Sequence, residues 1–158
     1  MIILGIDPGL ATMGYGVIEV VGNSRRAIQY GVLSTKANES TPARLRTIFQ
    51  GVNELLDIYR PDEVAFEELF FVRNVTTGIG VSAARGAALV AVATRTDDLY
   101  EYTPMQIKQA VTGYGSADKQ QVQRMVKALL NMDEIAKPDD AADALAVALT
   151  HANSMQMK

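Results

Sequence analysis

The sequence predicts an α/β protein built on a five-stranded mixed sheet, three antiparallel strands followed by parallel additions, with helices on its faces. Three observations carry this expectation. Short apolar runs bounded by turn residues fill the first 34 positions. Long helical periodicities then separate two further short apolar runs, the pattern of crossover-linked parallel strands. The last 55 or so residues are helical with no strand signal, giving the order βββαβαβααα.

Ile2 to Asp7 is an apolar run that ends in Asp-Pro-Gly, a strand closed by a turn. Gly14 to Val20 and Ala27 to Ser34 form the next two strands, joined by Gly22-Asn23-Ser24. Thr41 caps a first helix with Pro42 at its first position. Within it Leu45, Ile48, Val52, Leu55, Leu56 and Tyr59 recur at helical spacing until Pro61. Glu63 to Phe71 is the fourth strand. Asn74 to Arg95 is a long helix rich in Gly and Ala, so another backbone can approach it closely: the sheet or a second subunit. Leu99 to Tyr102 is the last strand. Thr103-Pro104 starts a helix, Ser116 caps another that runs to Leu130, and a final helix spans Pro138 to about Ala152.

The length, 158 residues, suits one domain over 1–158 and is too short for two large lobes. With 48% apolar and 21% charged residues the composition is that of a globular protein. The absence of cysteine excludes disulfides, thiolate zinc sites and cysteine nucleophiles. The first strand lacks a basic flank and is not read as a signal peptide. No apolar run approaches the roughly 20 residues of a membrane span, and the expected compartment is the cytoplasm.

A net charge of −3 does not announce a nucleic-acid binder, but its distribution is uneven. Lys108, Lys119, Arg124 and Lys127 face one acid, Asp118, between Pro104 and Asn131. Asp133, Glu134, Asp139, Asp140 and Asp143 face one base, Lys137, in the next segment. A basic surface beside an acidic cluster suits a metal-using phosphodiesterase.

Four carboxylates stand out by position. Asp7 closes the first strand at a bend. Glu67 lies in the fourth strand, and Asp140 and Asp143 sit three apart on one face of the last helix, about 5–6 Å apart at Cβ. Each also has an ordinary role: Asp before Pro starts turns, and acids are favoured in the first helical turn. Strand alternation separates Glu67 from Glu68 without saying which faces a site, and Asp139 shares a face with Asp143 as Asp140 does. Convergent carboxylates need a cation, because two at 4 Å repel by about 4 kcal/mol at an effective dielectric of 20. Oxygen-only ligands fit Mg²⁺ or Mn²⁺.

Ile3-Leu4-Gly5-Ile6-Asp7-Pro8-Gly9 with Gly14-Tyr15-Gly16-Val17 resembles the opening of the RuvC family of Holliday junction resolvases. Phe66-Glu67-Glu68-Leu69-Phe70, Lys108 to Gly113, and Asp140-Ala141-Ala142-Asp143-Ala144-Leu145-Ala146 match in the same order, so the resemblance spans essentially the whole chain. It implies an RNase H-like fold and a homodimer. It also implies Mg²⁺-dependent nicking of two like-polarity strands of a four-way junction, leaving 5′-phosphate and 3′-hydroxyl ends, in recombination and repair. It implies Asp7, Glu67, Asp140 and Asp143 as catalytic and metal-holding residues, with two Mg²⁺ per subunit or Mn²⁺ in their place. Phe70 resembles the family's aromatic that stacks on an unpaired base; of Phe70 and Phe71 one is expected to stack and one to be core, and the residues alone do not say which. Lys108 and Lys119 would hold phosphates, with Arg73 and Arg85 as further DNA contacts. The RuvA junction clamp and RuvB motor are the implied partners. His151, near the end of the last helix, is expected to complement the helix dipole.

Three other readings compete. Gly5 to Gly9 also resembles the phosphate loop of actin-like ATPases, which need two lobes. An RNase H-like enzyme acting on RNA or an RNA–DNA hybrid would share the fold. A non-catalytic junction-binding module would have no need of all four carboxylates.

Overall fold

The computed structural model describes residues 1–68 and 74–155. The chain folds as β1 (Ile2–Asp7), β2 (Thr12–Val21), β3 (Ser24–Ser34), α1 (Thr41–Tyr59) and β4 (Glu63–Glu67). α2 (Val75–Ala93), β5 (Leu99–Tyr102), α3 (Pro104–Thr112), α4 (Lys119–Leu129) and α5 (Asp139–Met155) complete it. The sheet order is β3-β2-β1-β4-β5. β1, β2 and β3 pair antiparallel, and β4 and β5 are added in parallel to β1, as the element order predicts.

Strand alternation divides the core between two faces. Leu4, Ile6, Val17, Val64 and Phe66 meet Ile48 and Val52 of α1 and Ala84 and Ala88 of α2. Ile3, Ile18 and Ala65 meet α3, α4 and α5 on the other face. α5 is the central helix of that second layer. A Cβ on Gly5 would stand 2.2 Å from the carbonyl oxygen of Ala144, and one on Gly16 would stand 2.8 Å from the nitrogen of Leu145. The helix therefore rests on bare strand backbone, with Gly5 of β1 against Ala144 and Ala148 and with Gly14 and Gly16 of β2 against Asp140 and Leu145.

Several boundaries move from their expected places. β2 starts at Thr12 and β3 at Ser24, so the hairpin turn is Gly22-Asn23 alone, with Gly22 at φ 57°. Arg25 and Arg26 join β3, whose edge tolerates charge. Ser40, not Thr41, caps α1 by accepting from the Ala43 N–H. Asp118, not Ser116, caps α4: it accepts from the Gln121 N–H while the Gln121 side chain accepts from the Asp118 N–H. α5 extends to Met155. β4 is seen to Glu67; the expected continuation to Phe71 falls outside the described residues. α2, at 19 residues, is long and apolar enough to cross a membrane, contrary to expectation, but its small residues pack on α1 and the sheet.

His151 has a different role from the one expected. It is 1% exposed, so it cannot act as a solvated charge at a helix end. Its Nδ1 lies 2.7 Å from the Tyr102 hydroxyl and its Nε2 meets the Glu63 carboxylate. The imidazole thus ties α5 to β4 and β5.

Candidate active site

The face toward α5 receives Ile3, Gly5 and Asp7 from β1 and Glu63, Ala65 and Glu67 from β4. Glu67 therefore points at α5, and the alternation that separates it from Glu68 now has a direction. Parallel pairing of Ile6 with Phe66 brings the next pair, Asp7 and Glu67, side by side, and their carboxyls share a hydrogen bond. Gly14 pairs with Asp7 on the other side. A Cβ there would lie 2.0 Å from the carbonyl oxygen of Asp140, so the first turn of α5 seats directly on β2. Asp143 follows one turn later.

Asp7, Asp140 and Asp143 each offer an oxygen, and these atoms lie within 4.8 Å of one another. Asp139 turns away: Lys119 Nζ lies 3.5 Å from its carboxylate and Gln123 donates to it at 3.2 Å. Lys119 Nζ is also 3.3 Å from Asp143 Oδ2. Beside the cluster opens a cleft of about 330 Å³, lined by Glu67, Lys108, Lys119 and Asp143 over an apolar floor that includes Ile107 and Val122.

The expected DNA contacts divide. Lys108 and Lys119 stand at the cleft. Arg85 is on α2, across the sheet from the carboxylates, and ion-pairs with Glu101 of β5. Phe70 and Arg73 lie outside the described residues. One contact had no signal in the sequence: the Thr12 hydroxyl donates to Asp140 Oδ2 at 2.6 Å. A threonine at a strand start looks like any β-former.

Burial, and after it the crowding of these acids, shifts their protonation. Burial, then the charge and hydrogen bond of Glu67, then Asp143 and Asp140, push the Asp7 carboxyl up to about 9. Burial also raises Glu67, helped by Asp143 and opposed by Asp7's hydrogen bond and by the Lys119 and Lys108 charges. Asp143 is raised by burial against the pull of Lys119. Partial burial disfavours the Lys119 ammonium, but Asp143 and Asp139 outweigh it and raise its pKa. Asp7, Glu67 and Asp143 thus all favour their protonated forms more than free carboxyls do.

A pH dependence follows. The folded pKa of Asp7 lies above its ordinary 3.8, so its stabilising contribution is complete below pH 3.8 and is lost as pH rises toward 9. In EDTA the melting temperature is expected to fall between pH 5 and pH 8, by roughly 5 °C. Asp7→Asn should flatten that slope and raise the pH 8 value. Thermal unfolding at both pH values checks this; a flat wild-type profile would refute the linkage.

The model of the family described as crossover junction endodeoxyribonuclease RuvC matches residues 3–151. Crossover junction endodeoxyribonuclease RuvC of Heliobacterium modesticaldum is 56% identical over 155 residues, covering 98% of this chain and 96% of its own. The Alkaliphilus metalliredigens protein of the same name is 54% identical over 154 residues, covering 98% and 94%. Among solved structures, Thermus thermophilus RuvC in complex with Holliday junction substrate superposes with a TM-score of 0.94 at 40% identity, over 99% of this chain and 96% of that one. The yeast mitochondrial resolvase Ydc2 has a TM-score of 0.71 at 15% identity, covering 96% of this chain and 77% of its own, a likeness of fold alone. The sheet and its flanking helices are those of the RNase H-like resolvases.

Proposed function

The chain belongs to the RuvC family of crossover junction endodeoxyribonucleases, and from that premise we propose that it resolves four-way DNA junctions by hydrolysing phosphodiesters in two symmetric strands. The observation that carries the reading is the convergence of Asp7, Asp140 and Asp143, with Glu67 bonded to Asp7, beside a cleft flanked by Lys108 and Lys119. In our reading these four carboxylates are the catalytic set, and the products carry 5′-phosphate and 3′-hydroxyl ends.

The donor set fits hard divalent cations. It is all oxygen, and burial together with the charges of Glu67, Asp143 and Asp140 raises the Asp7 carboxyl, which a nearby cation would offset. We assign two Mg²⁺ per subunit, with Mn²⁺ as a substitute, held by Asp7, Glu67, Asp140 and Asp143. Such ions, when bound, activate a water and stabilise the leaving oxygen of a phosphodiester. The chain's own part is to orient and to neutralise. Asp7 gives up its proton as the site charges, Asp143 is steadied by Lys119, and Lys108 and Lys119 hold the phosphates that flank the scissile bond. By the family resemblance we assign Phe70 to stacking on an unpaired base at the junction centre, worth about 1–3 kcal/mol in such contacts, and Arg73 to a further DNA contact. Arg85, proposed as a further DNA contact, is ion-paired with Glu101 on the far side of the sheet, apart from the cleft.

Cutting two symmetric strands asks for two sites, hence a homodimer. The outward stripe of α2 supports one: Val75, Ile79 and Val90 are 75%, 67% and 55% exposed, and a Cβ on Gly86 between them would meet nothing within 4 Å. Apolar and small residues in one helical stripe suit close helix pairing. As a single domain working on chromosomal junctions, the protein is placed in the cytoplasm, with the RuvA clamp and RuvB motor as partners.

Cleavage of a four-way junction, a linear duplex and an RNA–DNA hybrid, each with Mg²⁺ and with EDTA, tests the reading. Paired nicks in the junction alone, lost in EDTA, are expected. Equal cutting of the duplex, preference for the hybrid, or full activity in EDTA would overturn it.

A further inference from the structure

Thr12 is the first residue of β2, and its side chain is exposed. An exposed hydroxyl can satisfy itself with water, yet this one donates to Asp140 Oδ2 at 2.6 Å, across 128 residues of sequence. Its backbone is held from several directions. Thr12 pairs with Ser34, and the Thr35 N–H donates to the Ala11 carbonyl at 3.0 Å. The Thr35 hydroxyl donates to the Leu10 carbonyl at 2.6 Å and itself accepts from Arg44 Nε at 2.9 Å. Inside the turn, a Cβ on Gly9 would stand 2.1 Å from the Thr12 carbonyl oxygen, so glycine permits this approach. The hydroxyl is thus presented from a fixed frame.

The carboxylates of the cluster are steadied in different ways. Asp7 is bonded to Glu67 and Asp143 to Lys119. For Asp140, among the described residues, the side-chain hydrogen bond is the one from Thr12. Asp140 also sits in the first turn of α5, where a carboxylate could swing toward the free N–H groups of the helix start.

We propose that Thr12 is a positioning residue for the metal site, its hydroxyl fixing the orientation in which Asp140 meets the ion. This rests on the metal-dependent nuclease reading. An outer hydrogen bond of this kind commonly alters metal affinity or activity by 10- to 100-fold. It also sharpens the division of labour in the loop after Asp7: the glycine shapes the turn, and Thr12 links β2 to the first turn of α5.

The test measures Mn²⁺ affinity without DNA, by the loss of the free-ion EPR signal, beside junction cleavage and melting temperature. Thr12→Val is expected to weaken Mn²⁺ binding roughly tenfold, to lower kcat and to leave junction Kd and melting temperature unchanged. Thr12→Ser, which keeps the hydroxyl, should restore wild-type affinity. In an Asp140→Ala background, where no oxygen is left to accept the hydroxyl, Thr12→Val should change nothing further. Should the valine variant fold poorly, Thr12→Ala against Thr12→Ser gives the same comparison. Wild-type Mn²⁺ affinity in Thr12→Val, failure of serine to rescue, or an undiminished effect in the Asp140→Ala background would each overturn the role of Thr12. A wild type that neither binds Mn²⁺ nor cuts junctions would overturn the nuclease reading and this inference with it.

Discussion

Asp7→Asn is expected to lower junction cleavage by ~1000-fold or more while leaving junction binding intact or slightly tighter. The two halves of this expectation have separate causes. Asp7 is the carboxylate that the others surround: Glu67 is bonded to it, Asp140 and Asp143 each place an oxygen within 4.8 Å of its own, and burial holds it from water. Asparagine keeps the shape but supplies a neutral ligand, so the cluster loses the charge that draws a divalent cation into the centre. A phosphate backbone meets the same site as an anion, and one fewer negative charge favours its approach. Single-turnover cleavage and a gel-shift or anisotropy Kd on one immobile junction separate the effects. Loss of binding in proportion to loss of cutting would show that Asp7 serves the fold or the DNA contact instead of the chemistry.

Gly14→Ala is expected to be among the most damaging single-methyl changes in the chain, destabilising it by about 3 kcal/mol. The new Cβ would lie 2.0 Å from the Asp140 carbonyl oxygen and 3.2 Å from its Cβ, and no rotamer change can move a backbone oxygen. Either α5 lifts from β2 or the strand bends, and both displace Asp140. The melting temperature should fall by roughly 6–12 °C, and the fraction that stays folded should bind Mn²⁺ poorly. Gly86→Ala is the control, because nothing lies within 4 Å of that position. There alanine removes a helix penalty of about 0.5–1 kcal/mol within one protomer, while its methyl would stand in the stripe proposed to pair two protomers, so the comparison is made on monomeric protein. Circular dichroism melts of both variants decide the matter; an unchanged melt for Gly14→Ala would mean that α5 does not rest on β2 as described.

Much of the architecture was legible because its signals are local. The apolar run before Asp7-Pro8-Gly9, the helical spacing from Leu45 to Tyr59 and the helix start at Thr103-Pro104 each depend on neighbours within a few residues. Boundaries were less legible for the same reason. Ser40 and Asp118 displaced the expected caps because several polar residues in each segment could cap, and only the final backbone chooses which oxygen reaches an N–H. His151 was misread because nothing near it in sequence announces Glu63, 88 residues away.

The sequence by itself determined the element types, the approximate strand order and the shortlist of acids, since hydrophobic period and turn chemistry are written along the chain. Tertiary structure decided which acids meet. Glu67 is distinguished from Glu68 by the face of β4 that α5 covers, and Asp140 from Asp139 by the seating of the first helical turn on Gly14. Both outcomes depend on how closely one helix approaches two strands, a distance set by the missing side chains of Gly5, Gly14 and Gly16 acting together. Such a distance is a property of packing between remote segments, and no local pattern encodes it.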